Sequence, residues 1–157
     1  MPFDAPFNLG PFAVDAAGRL SPRNGIPERS GFILAWRGRS VHAHLSDAAP
    51  GNHLVLEVAL GRIPSTAQKL TSDQRPRSFA ALRTLPAALP EGWHLRLTPD
   101  HRLRLEAELV IELPITVTLL VTELTCFLLA LAPFLDLLDE VGVPAGPAAA
   151  KERLRSA

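Results

Sequence analysis

The run ITVTLLVTELTCFLLALAPFLDLL, from Ile115 to Leu138, is long enough to cross a bilayer, yet it holds Glu123 near its middle and Asp136 near its end. A spanning helix wants about 20 apolar residues almost free of charge. An acidic side chain at the bilayer centre costs roughly 2.5–3.5 kcal/mol. Lysine and arginine anchors are missing at both flanks: Glu112 precedes the run, and Asp139 and Glu140 follow it. The run therefore reads as a helix that closes over a sheet, with a second apolar face left for another subunit. Val117, Leu120, Val121, Leu124, Leu128, Leu131, Leu135 and Leu138 recur at helical spacing, with Thr116, Thr122, Glu123 and Asp136 mostly off that stripe. Pro114 marks the start, Pro133 is expected to kink or break the helix, and Gly142 and Pro144 to stop it.

Working back from this helix, Leu95 and Leu97 alternate with Arg96 and Thr98, and Pro99-Asp100-His101 turns the chain. Leu103, Leu105, Ala107 and Leu109 then alternate with Arg102, Arg104, Glu106 and Glu108. One face is apolar and the other carries both signs of charge, as in a hairpin whose sheet has one solvated face. A short helix is expected from Arg75 or Pro76 to about Leu85, because Phe79, Leu82 and Leu85 share a face and Pro86 and Pro90 follow. Further back, Phe32–Trp36 is apolar on both faces, Arg37-Gly38-Arg39 interrupts it, and Ser40–Leu45 alternates. Pro50-Gly51-Asn52 makes the next turn, and Leu54–Leu60 is a third strand ended by Gly61. The fold class is α+β: an antiparallel five-stranded sheet in the order β-β-β-α-β-β-α, with the long C-terminal helix packed on it.

Residues 1–31 are dense in proline and glycine, which excludes a long helix, and read as an irregular N-terminal arm in which Phe12–Asp15 makes a short strand. The globular part is residues 32–143. Residues 144–157 form a flexible or short helical tail.

Hydrophobic residues make up 47% of the 157-residue chain and charged residues 20%, which is globular rather than disordered material. The formal net charge is zero, so no global attraction to nucleic acid or anionic membrane is expected. Cys126 is the single cysteine, which excludes an intramolecular disulfide and a cysteine zinc cluster and fits a reducing, cytoplasmic interior. The N-terminus has neither the basic nor the apolar region of a secretory signal. Of the 16 basic residues only Lys69 and Lys151 are lysines, the residue usage of a GC-rich bacterial genome.

Few residues group in a way that carries chemistry. His42 and His44 share one face of a strand, and His53 on the next strand can come near, a possible metal-ligand set without an acidic ligand at telling spacing. The plainer reading is solvent-facing polar positions beside a turn. Ser65 and Thr66 lie in a loop that lacks both the Gly-Lys-Ser/Thr ending of a phosphate loop and the flanking glycines of a nucleophile elbow. Asp100-His101 reads as turn chemistry, and Cys126 as a buried, inert thiol. Glu123 lies either in water at the helix edge or buried against an arginine. Nothing supplies nucleophile, base and oxyanion donor together, so enzyme activity is unsupported and no cofactor is expected. Trp36, Trp93, Phe127 and Phe134 are candidate core or partner-binding anchors.

The meander Phe32–Leu60, the short helix near Ser78–Leu85, the hairpin Leu95–Leu109 and the helix Ile115–Leu138 together resemble the type III secretion chaperone-like fold, also found in YbjN-type bacterial proteins. The match covers roughly two thirds of the chain in element order and apolar pattern, without a diagnostic motif. Secretion chaperones usually begin with a helix and are acidic, whereas this chain begins proline-rich and is neutral. The resemblance implies a non-enzymatic homodimer that binds a protein partner on apolar patches and a sheet edge. The alternatives are a small metal-binding protein using His42, His44 and His53, and a membrane-anchored protein.

Overall fold

The structure, a computed structural model, describes residues 3–24, 31–46, 52–63 and 74–143. It is α+β, with two antiparallel sheets and two helices among the described residues. The segment around Ser65 and Thr66, the turn at Pro50 and Gly51, and the tail from residue 144 lie outside the described residues.

The larger sheet has the strand order β4-β5-β6-β8-β7, with β4 Gly31–Trp36, β5 Arg39–Ser46, β6 Asn52–Arg62, β7 Trp93–Leu97 and β8 Arg102–Ile111. The expected meander and hairpin are joined by pairing β6 to β8. A two-residue turn links β4 to β5, with φ +49° at Arg37 and +75° at Gly38, the backbone twist that suits a tight hairpin. At the β7–β8 turn the left-handed residue is His101, at φ +60°, rather than Asp100. Asp100 instead accepts from the Thr98 hydroxyl and meets the Arg102 guanidinium at 2.8 Å. Strand β6 continues past Gly61 to Arg62 through a register shift between Ala59 and Gly61, so the glycine accommodates a bulge and does not end the strand.

The N-terminal segment is more ordered than an irregular arm. Its strands β1 Phe7–Leu9, β2 Phe12–Val14 and β3 Arg19–Pro22 form a small meander, and β3 pairs with β9, Ile115–Thr116. Prolines are tolerated because these strands are only three or four residues long and Pro22 closes one of them. Phe12, Val14 and Leu20 are buried in the common core, and Val117 N donates to Gly18 O at 2.9 Å, so the meander holds the start of the last helix.

Helix α1 spans Gln74–Ala88 and runs through Pro86, three residues beyond the expected end. A proline in the last turn forfeits a single hydrogen bond there. Helix α2 spans Val117–Glu140 as one element through Pro133, and Thr116 caps it by accepting from Leu119 N at 3.1 Å. The residues that α2 buries are Leu120, Leu124, Phe127, Leu131, Leu135 and Leu138. Steps of three and four keep them on one stripe. Compared with the expected stripe, Phe127 enters, Val121 leaves at 54% exposure, and Val117 and Leu128 lie half-buried at its margins. The stripe packs on the inward residues of the large sheet, among them Ala43, Leu54, Leu56, Val58, Leu103 and Leu105, to form one core.

The hairpin turn between β4 and β5 grips the C-terminal half of α2. Arg37 pairs with Asp136 at 2.5 Å, and buried Arg39 pairs with Asp139 at 2.7 Å while its Nε donates to Leu60 O at 2.9 Å. On the other side, the buried Ser78 hydroxyl of α1 donates to Val141 O at 2.6 Å.

Candidate functional surfaces

The outward side of α2 leaves a run of apolar side chains without a partner among the described residues. A helix turns 100° per residue, so filling the core with Leu120, Leu124 and Phe127 directs Leu119, Val121, Cys126 and Leu129 away from it. Leu119, Val121 and Leu129 are exposed, Leu129 at 66%. Cys126 is exposed among them, and the expectation of a buried thiol is corrected by its position about 100° from Phe127. The intervening threonines add little polarity: Thr122 donates its hydroxyl to Thr118 O at 2.9 Å, and Thr125 to Val121 O at 2.7 Å. Their hydroxyl donors are thus satisfied inside the helix. Glu123 sits half-exposed at the edge of this strip and makes no ion pair with a described residue. By length and composition α2 could cross a membrane, and 22% of its most apolar stretch is buried in the fold.

Three of the four aromatic candidates come together. The Trp93 ring on β7 lies tilted against two rings of α2, its centre 4.9 Å from that of Phe127 and 6.0 Å from that of Phe134. Phe127 is buried, whereas Trp93 and Phe134 are half-buried, so the seam reaches the surface at its β7 end. Trp36 lies apart on β4, the opposite edge of the sheet, with the Arg37 guanidinium 5.6 Å from its ring centre.

Strand β7 is itself a free edge of the five-stranded order. Glu108 N donates to Gly92 O, so alternation turns the backbone groups of His94 and Arg96 toward β8 and those of Leu95 and Leu97 outward. Leu97 is also 49% exposed.

The three histidines lie on the open face of the sheet, opposite the helices. His42 and His44 flank a hollow of about 340 Å³ that Gly31, Ile33 and Glu57 also line. His53 pairs across with Ser46, which puts it on the same face, and its Nδ1 is 3.7 Å from the Glu108 carboxylate. Among the described residues no three His, Cys, Asp or Glu side chains are grouped so as to hold a metal ion. Among the described residues the open face also collects Arg62, Arg96, Arg102 and Arg104 from three strands. No sequence pattern within one strand could announce them, because the grouping depends on the β6–β8 and β7–β8 registers.

No protein-family model, no curated protein and no solved structure matches this chain.

Proposed function

We propose that this chain is a non-enzymatic, cytoplasmic protein-binding module that works as a homodimer, the two copies meeting through the outward faces of α2. The observation that carries this reading is the apolar strip around Leu119, Val121, Cys126 and Leu129, whose threonines Thr122 and Thr125 bond inward. Exposed apolar patches of this kind mark contact surfaces.

A second copy suits the strip better than a lipid bilayer. Insertion would pull α2 off the large sheet and expose the sheet's inward residues, among them Leu54, Leu56, Leu103 and Leu105, to water, at about 2 kcal/mol or more for each. Lying flat on a membrane calls for lysine and arginine along the polar rim, and the rim of α2 is acidic: Glu123, Asp136, Asp139 and Glu140. The ends of the helix favour an antiparallel partner. Its last turn carries no basic residue and its first turn no acidic one. An antiparallel copy brings its positive N-terminal end toward the end that carries Glu140. The protein partner then has the β7 edge, where Leu95 and Leu97 offer unpaired backbone groups for strand addition.

Size-exclusion chromatography with light scattering tests the dimer. The expected mass is twice the 17.0 kDa of the chain; a monomer at all accessible concentrations would remove the proposal.

A further inference from the structure

On the open sheet face the registers gather charge by sign. Arg62 of β6 stands directly opposite Arg102 of β8, and Arg104 of β8 directly opposite Arg96 of β7. One step along the strands, Glu57 stands opposite Glu106, with Glu108 beyond. Directly opposed side chains are about 5 Å apart at Cβ, where like charges repel. Nearby acids compensate only part of the arginine end. Asp100 stands 2.8 Å from Arg102 and is near enough to Arg62 for their charges to attract, and Arg96 reaches Glu106 at 3.4 Å while largely exposed. Arg104 is exposed, and its guanidinium makes no hydrogen bond or ion pair with a described residue. Two adjoining like-charge cross-strand pairs are a cost that the fold gains nothing from by itself; an anion laid across them converts it into attraction.

We infer that the arginine end of this face docks an acidic stretch of extended polypeptide, giving the protein partner of the proposed module an acidic segment. The inference rests on the protein-binding reading but not on the dimer. Arg102 and Arg104 are two residues apart on one strand, about 7 Å, which is also the repeat of alternate side chains along an extended chain. Alternate carboxylates therefore meet successive guanidinium groups. The neighbouring Glu57, Glu106 and Glu108 select for a narrow ligand, because a broad anionic surface such as a bilayer or a DNA duplex would press on them as well. Among the described residues no Phe or Trp pairs with these arginines to stack the bases of single-stranded nucleic acid, and the chain has no tyrosine.

The test is fluorescence anisotropy with a labelled octapeptide of alternating Glu and Thr, with an alternating Lys and Thr control, an oligothymidylate and anionic vesicles as comparison arms. The Glu peptide is expected to bind at low salt and to be released at about 0.5 M salt. Arg104→Glu, at an exposed position, is expected to weaken it about fivefold or more with unchanged circular dichroism, and Arg96→Glu to do the same. Absent binding, equal binding to wild type and both variants, or tighter binding of the oligothymidylate or the vesicles would overturn the inference. Light scattering on the same samples separates the two proposals: a dimer without peptide binding sinks only this one, and a monomer that binds the peptide sinks only the dimer.

Discussion

Arg39 is 4% exposed and its guanidinium meets the Asp139 carboxylate at 2.7 Å, which ties the β4–β5 turn to the last turn of α2. Removing the carboxylate leaves a buried cation with, among the described residues, the carbonyl of Leu60 and a weak 3.4 Å contact to the carbonyl of Arg37. Asp139→Ala is expected to lower unfolding stability by about 1–3 kcal/mol, toward the lower end because solvent reaches the carboxylate. Urea denaturation measures it as a lower midpoint.

The two sides of α2 are expected to respond oppositely to truncation. Leu131 is fully buried in the core, so Leu131→Ala should cost about 2–5 kcal/mol of stability in the same titration. Leu129, two residues away on the outward side, should leave the unfolding of an isolated chain nearly unchanged when cut to alanine and act on self-association instead.

Most of the large sheet and its closing helix was legible in the sequence, because strict alternation at Leu103–Leu109 and helical spacing at Leu120–Leu138 leave one face for the core. The facing of α2 was misjudged where the run is apolar all round: between Val117 and Leu129 periodicity alone could not choose between Val121 and Phe127. Packing against Trp93 makes that choice. The N-terminal meander was concealed by prolines and by strands three or four residues long, too short to show a period. The arginine and glutamate ends of the open face were hidden because cross-strand register lies beyond what any one segment specifies.

The β2–β3 turn is expected to weaken in acid. The Asp15 carboxylate accepts from the backbone N–H groups of Arg19 and Ala17, each at 2.9 Å, and pairs with the Arg19 side chain, which together hold its pKa below the usual aspartate value. A carboxyl depressed in the folded state contributes fully above its unfolded pKa and loses that contribution as pH falls through the folded one. Carboxyl-resolved NMR titration should place the Asp15 midpoint below that of a model peptide, and Asp15→Asn should make the acid limb of the stability curve shallower.

Cys126 lies close to the middle of the strip from Thr118 to Pro133, so an antiparallel α2 pair brings the two thiols near its two-fold axis. Mild oxidation of the single-cysteine chain should yield a disulfide-linked dimer, visible on non-reducing electrophoresis, at concentrations where a chain unfolded in urea gives far less. Equal yields from folded and unfolded chains would argue against this pairing.

The most direct measurement is the sedimentation velocity of Leu129→Glu beside the wild type. A carboxylate at the centre of a dry apolar contact is left without a partner, a penalty of several kcal/mol for each copy. The wild type should sediment as a dimer of the 17.0 kDa chain and Leu129→Glu as a folded monomer. If both sediment as the same species, whether dimer or monomer, the outward face of α2 is not where two copies meet.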